Sequence, residues 1–139
     1  MAVEKTLAII KPDAISRGLQ DEILKRIEAA GFKILARKSL RLSLERAKKF
    51  YGIHRDRPFF EELTAFMTSG DILVLVLEAE DAVQEWRDTM GATNPSEAAA
   101  GTIRRDLGTT IQNNCTHGSD GPLTAQAELA FFFDNKELV

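Results

Sequence analysis

The 139-residue, 15.4 kDa chain is long enough for one hydrophobic core and too short for two, so a single domain over 1–139 is expected. Hydrophobic residues at 44% and charged residues at 28% exclude a disordered or low-complexity chain. Eighteen Lys and Arg against 21 Asp and Glu leave a net charge of -3, without the basic excess of a general nucleic-acid binder. An anionic ligand would need a local cluster of cations. Cys115 is the only cysteine and there are two histidines, so neither an internal disulfide nor zinc-ligand spacing is available. The N-terminus carries no apolar signal core, and the longest aliphatic run, Ile72 to Leu77, is far short of a bilayer span. A cytoplasmic protein without membrane contact is expected.

Thr6 to Ile10 is an apolar run stopped by Lys11-Pro12-Asp13, which predicts a buried strand ending in a turn. Ile23, Leu24, Ile27 and Ala30 recur at helical spacing before the stop at Gly31. Phe32 to Leu42 alternates, with Phe32, Ile34, Ala36, Leu40 and Leu42 on one face of a long half-exposed strand. Ser43 can cap a helix, and Pro58 suits the first turn of another carrying Phe59, Phe60, Leu63, Phe66 and Met67, giving a helical hairpin inserted between strands. Ile72 to Leu77 predicts a central strand, followed after Asp81 by a helix burying Val83, Trp86 and Met90.

Gly91 to Asn114 has no sustained period beyond a short helix near Ile103, and connections longer than about 12 to 15 residues are usually functional or disordered. Its low charge density and its Gly and Pro positions favour function. A short strand at Cys115 to His117, a turn through Pro122, a helix around Thr124 to Ala130 and then Phe131-Phe132-Phe133 complete the chain. With the insert set aside, the order is βαββαβ, the α+β ferredoxin-like sandwich in which helices cover an antiparallel sheet.

No Gly-rich phosphate cradle and no hydrolase elbow is present, so a phosphate site must be built from side chains. Asn114-Cys115-Thr116-His117-Gly118-Ser119-Asp120 sets a histidine among hydrogen-bonding groups, beside a glycine that permits close approach of a ligand. By residue type alone, His117 reads either as a surface-turn residue or as a nucleophile or acid-base group. Lys11, Arg87 and Arg104 read equally as solvated charges, Tyr51, Phe59 and Leu63 as core, and Glu128 as helix surface.

Several spaced segments break that tie. Thr6 to Asp13, Arg57-Pro58-Phe59-Phe60, Met90 to Pro95, Gly101-Thr102-Ile103-Arg104 and above all Asn114-x-x-His117-Gly118-Ser119-Asp120 occur in an order that resembles nucleoside diphosphate kinases from about Glu4 to Phe133. The resemblance implies ping-pong transfer of the γ-phosphoryl group of a nucleoside triphosphate, through phosphohistidine on His117, to a nucleoside diphosphate. It implies that Glu128 holds the ring and Ser119 supports Glu128, as a triad's acid orients its histidine. Lys11, Arg87 and Arg104 match phosphate-binding positions, and Tyr51, Thr93 and Asn114 match hydrogen-bonding ones. Phe59 and Leu63 match a base clamp that contacts ring faces without reading their edges, which implies low base specificity toward ribo- and deoxyribonucleotides alike.

The resemblance further implies Mg²⁺ carried on the nucleotide phosphates, with Asp120 reaching it through water, and a homo-oligomer of dimers, either tetramer or hexamer. Gly91 to Asn114 would form a phosphate-facing loop opposite the helical hairpin. Asp21, Asp71, Ala79 and Ala100 depart from the usual family residues. Of these, Ala100 replaces a common proline in the subunit-contact loop, which loosens its backbone without touching the chemistry. Two rival classes share the βαββαβ order. A ligand-binding regulatory module would not require Lys11, Arg87, Arg104 and Glu128 around His117. An RNA-binding domain would need exposed aromatics on its strands and a basic face, which Lys11 to Leu42 does not offer, so no nucleic-acid partner is expected.

Overall fold

The computed structural model describes residues 3–52 and 55–133. Four strands, β1 (Val3–Ile10), β2 (Lys33–Leu40), β3 (Ile72–Glu80) and β4 (Thr116–Gly118), form one sheet in the order β2-β3-β1-β4 with every neighbouring pair antiparallel. This is the predicted α+β ferredoxin-like arrangement. β1 is longer than its apolar run because Val3, Glu4 and Lys5 pair with Glu80, Ala79 and Glu78 beyond the covered part of the sheet. Such residues carry no hydrophobic signal.

Both faces of the two central strands are buried, on opposite parities. Ala8 and Ile10 of β1 with Leu73, Leu75 and Leu77 of β3 meet α1 (Pro12–Ser16), α2 (Gln20–Ala29) and α5 (Ala82–Met90) through Ala14, Ile23, Ile27 and Trp86. Leu7, Ile9, Val74 and Val76 meet α3 (Leu44–Phe50), α4 (Phe60–Met67) and α7 (Pro122–Phe132) through Ala47, Met67 and Leu129. Each fully buried aliphatic side chain contributes roughly 1.5–3 kcal/mol. The sheet therefore gives a stiff platform, and Lys11 lies at its end.

Three local expectations change. The turn at Lys11-Pro12-Asp13 is the start of α1, since proline at the first helical position loses no needed hydrogen bond. In β2 the register breaks between Ile34 and Ala36, leaving Leu35 as an extra residue. Phe32 and Ile34 consequently face α2 and α5, while Ala36, Leu40 and Leu42 face the other layer, so the expected single apolar face is split by a bulge. Helix α7 begins at Pro122 and runs through Phe132, taking in most of the aromatic run.

Other signals act as read. The Ser43 hydroxyl accepts from the Arg46 amide at 3.2 Å and opens α3, although Pro58 stands just ahead of α4, whose first residue is Phe60. Together α3 and α4 form the inserted hairpin. The Gly91 to Asn114 stretch holds only a 3-10 turn at Pro95–Glu97 and α6 (Ile103–Leu107). Among the described residues no helix is long and apolar enough to cross a membrane.

Candidate active site

β1 and β4 run side by side with Ile9 opposite His117 and Ile10 opposite Thr116. The pairing brings the end of one strand, Lys11, beside the histidine-bearing strand, although 103 positions separate Lys11 from Asn114. Because His117 shares its face with Ile9, its ring meets the α3 and α7 layer. There it lies 5.5 Å from the Phe50 ring and 6.3 Å from the Tyr51 ring, both edge-on.

The Glu128 carboxylate of α7 lies 3.1 Å from His117 Nε2 and accepts the Ser119 hydroxyl at 2.7 Å on the same oxygen, Oε1. Burial alone would raise the Glu128 carboxyl, but its bonds to His117 and Ser119 outweigh that and hold it below the ordinary carboxylate value. An ionised acceptor requires Nε2 to carry the ring proton. The lone pair of a neutral imidazole is then on Nδ1.

An open cleft of about 820 Å³ unites the predicted residues. Lys11, Tyr51, Phe59, Leu63, Arg87, Thr93, Arg104, Asn114, His117, Asp120 and Glu128 all line it, while Ser119 stands behind Glu128, buried and outside the lining. Lys11 Nζ donates to Asn114 Oδ1 at 2.9 Å, and Asn114 Nδ2 donates to the Thr93 carbonyl at 3.0 Å, linking the end of β1 to both ends of the long loop. Arg104 is buried and ties α6 to its neighbours, donating to the carbonyls of Gly91 at 3.0 Å and Thr116 at 2.8 Å. Arg87 is more exposed and pairs with Asp120 at 2.9 Å across the cleft rim.

These cations disturb one another. Burial and then Arg104 push the Lys11 ammonium down to about 8, and burial followed by Arg87 pushes the Arg104 guanidinium down to about 10. Like charges gathered in a partly dry cleft are unfavourable until a polyanion enters. The Tyr51 hydroxyl and Arg104 Nε are buried without a hydrogen-bond partner in the described structure, and burial followed by Glu128 pushes the Tyr51 hydroxyl well above its ordinary value. Buried polar groups of this kind are costly unless a ligand satisfies them.

Several contributors escape a reading of the sequence. Phe50 supports the His117 ring, and Trp86 Nε1 donates to the His117 carbonyl at 3.1 Å from the opposite layer. Ile111 is 59% exposed and lines the same cleft as Phe59, and its only local signal is one aliphatic residue within a polar run. Gly118, expected to leave room for a ligand, serves packing as well: a Cβ there would stand 2.5 Å from Trp86 Cδ1 and 2.6 Å from Met90 Cε. The predicted strand at Cys115 to His117 is displaced by one residue because Cys115 has a φ of +74°. The Thr116 amide donates back to the Asn114 carbonyl at 2.9 Å, closing a three-residue γ-turn around it. Such a conformation costs about 1–3 kcal/mol and persists only where its surroundings enforce it.

A model of the nucleoside diphosphate kinase family matches residues 4–138. The chain belongs to this family. It is 53% identical over 139 residues to a nucleoside diphosphate kinase of Maricaulis maris, covering 100% of this chain and 99% of that one, and 53% identical to one of Halorhodospira halophila, covering 99% and 98%. The solved nucleoside diphosphate kinase of Aquifex aeolicus superposes with a TM-score of 0.96 at 45% identity, covering 99% of this chain and 100% of that one. That of Halobacterium salinarum, solved in complex with CDP, gives 0.92 at 40% identity, covering 98% and 91%. As a nucleoside diphosphate kinase, the chain is an enzyme that moves a phosphoryl group from a nucleoside triphosphate to a nucleoside diphosphate.

Proposed function

We propose that the transfer is ping-pong and that His117 is its nucleophile. The observation that carries this reading is the ring's anchorage: Glu128, backed by Ser119, engages Nε2 and leaves the Nδ1 lone pair for attack. Nδ1 bonds to the γ-phosphorus, the bond to the bridging oxygen breaks, and the nucleoside diphosphate leaves with that electron pair. A terminal oxygen of the incoming diphosphate then attacks the same phosphorus, and the P–N electrons return to the ring. The neutral nitrogen needs no deprotonation, so no separate base is required.

The transition state spreads negative charge over the phosphoryl oxygens, so positioning and cation placement supply most of the rate. Lys11, Arg87 and Arg104 are the groups that bind the phosphates, and Arg87 exchanges Asp120 for ligand as it does so. Asn114, Thr93 and Tyr51 give the hydrogen bonds around phosphates, ribose and histidine. Phe59, with Leu63 one turn on, covers a face of the base, and Ile111 extends that apolar surface. Contacts with ring faces favour tolerance of the base, and both ribo- and deoxyribonucleotides are proposed as substrates. The CDP complex of the Halobacterium salinarum relative supports a pyrimidine diphosphate as ligand of this fold.

The donor set fits a Mg²⁺ ion that arrives with the nucleotide. Among the described residues no group of three His, Cys, Asp or Glu side chains could cage a metal, whereas Asp120 offers one exposed carboxylate on the cleft. Asp120 would hold the ion through water, and a bound ion would offset phosphate charge. We further propose a single catalytic unit over 1–139, a cytoplasmic setting, and a homo-oligomer of dimers, tetramer or hexamer. Support for assembly comes from β2, a half-exposed strand at the edge of the described sheet.

The test is incubation with γ-labelled ATP and Mg²⁺. The protein acquires an acid-labile, alkali-stable label that GDP removes as GTP. His117→Ala retains the fold and takes no label, with turnover reduced by about 10⁴-fold or more; full activity in that variant refutes the assignment.

A further inference from the structure

Asp13 is buried in α1 and outside the cleft lining, yet its carboxylate reaches the histidine-bearing segment. Its Oδ2 accepts the Cys115 amide at 3.2 Å across 102 positions of sequence. The Cys115 carbonyl accepts the Lys11 amide at 2.8 Å, so the residue with φ of +74° is gripped on both sides by the segment Lys11 to Asp13. Asp13 Oδ1 has no hydrogen-bond partner in the described structure and Asp13 forms no ion pair there, which makes its burial costly by itself. We propose that Asp13 is a positioning residue for phosphoryl transfer, its carboxylate holding the strained turn at Cys115 that sets Asn114 and His117 in the cleft. This rests on the reading of His117 as nucleophile.

The argument is geometric. L-residues other than glycine leave the positive-φ region when nothing holds them there. Relaxation of Cys115 would reorient the peptide units on both sides. Upstream is Asn114, which joins Lys11 to Thr93. Downstream, two residues away, is His117, whose bond to Glu128 demands a fixed ring position. Displacements near 1 Å at a reacting centre can cost about 10²-fold in rate. Cys115 itself is buried, and burial followed by Asp13, to which its thiol is also hydrogen-bonded, pushes the thiol up to about 11, so the side chain is no nucleophile and adds to the backbone contact that ties this turn to Asp13.

The prediction separates positioning from general stability. Asp13→Ala is expected to lower kcat and the single-turnover rate of phosphohistidine formation by about 10- to 100-fold, with nucleotide KM within about twofold of wild type. Asp13→Asn keeps an oxygen acceptor for the Cys115 amide and should remain within about threefold of the wild-type kcat. Glycine accepts positive φ freely, so adding Cys115→Gly to Asp13→Ala should restore most of the lost kcat. Wild-type kcat in Asp13→Ala, equal losses in the Ala and Asn variants, or no recovery in a folded double variant would each overturn the proposal. If Asp13→Ala alone does not fold, an active double variant supports the proposal and a folded, inactive one overturns it. A wild-type chain that takes no label from ATP would instead overturn the nucleophile reading itself, a result separable from normal labelling with an indifferent Asp13.

Discussion

The floor and the rim of the cleft are built on opposite terms. At the floor, His117, Glu128, Ser119, Asn114 and Arg104 are held by strands, by one another and by backbone carbonyls, in bonds of 2.7 to 3.1 Å. At the rim, Phe59 is 46% exposed and Ile111 is 59% exposed, while Arg87 and Asp120 meet in a solvent-facing ion pair. Phosphoryl transfer tolerates little misalignment, whereas a base recognised only by its faces needs a surface and not a mould. The division predicts that changes at the floor act on kcat and changes at the rim act on KM.

The largest expected effect beyond the nucleophile is at Glu128. Glu128→Gln can still meet the ring but does not fix its tautomer, and kcat should fall by about 10²-fold with KM little changed; a KM-only effect would erase the contrast between floor and rim. The Glu128 carboxyl is held low in the folded chain, so its contribution to stability is present above the ordinary carboxylate range. That contribution is lost as pH falls through the folded-state value.

Next in size is the alkaline limb of kcat/KM. With the Lys11 ammonium depressed to about 8, the free enzyme loses a phosphate-binding charge above that pH, and kcat/KM should fall roughly tenfold per unit. A bound polyanion favours the charged form, so the limb of kcat lies at higher pH. For folding the sign is the reverse. The unfolded lysine keeps its proton to about 10.4, so Lys11 costs stability below about 8 and that cost fades as pH rises between the two values. A kcat/KM profile flat to pH 10 would mean that burial and Arg104 do not lower the Lys11 ammonium in the free enzyme.

Phe59→Ala should raise KM by about 5- to 10-fold for purine and pyrimidine nucleotides alike, with kcat nearly unchanged. Loss confined to one base would mean that the rim reads edges after all. The smallest effect belongs to Asp120→Asn, which should alter stability by less than about 1 kcal/mol in thermal unfolding, because exposed ion pairs contribute little. A larger change would move Asp120 from the rim into the framework.

The same division explains what could be read from sequence. Lys11 and His117 sit in contiguous motifs, and the apolar runs of β1 and β3 announce strands buried on both faces. Gly91 to Asn114 was recognisable as a functional loop from its want of periodicity. The bulge at Leu35 was not legible, because alternation continues by parity while the backbone changes face. Phe50 has no local mark of its place beside His117, and Ile111 only that of a lone aliphatic residue in a polar run; tertiary contacts bring both to the cleft. Gly118 announced a close approach but not its partner, which proved to include Trp86 of α5. The Asp13 contact with Cys115 spans 102 positions, and no local pattern encodes it.

Trp86 is the chain's single tryptophan, fully enclosed, and its indole nitrogen is bonded to the backbone of His117. The molecule thus contains its own optical reporter. Phosphorylation of the His117 ring, which lies on the other face of β4, reaches that indole through the shared carbonyl, so its emission should time both half-reactions by stopped-flow fluorescence in the unlabelled native chain.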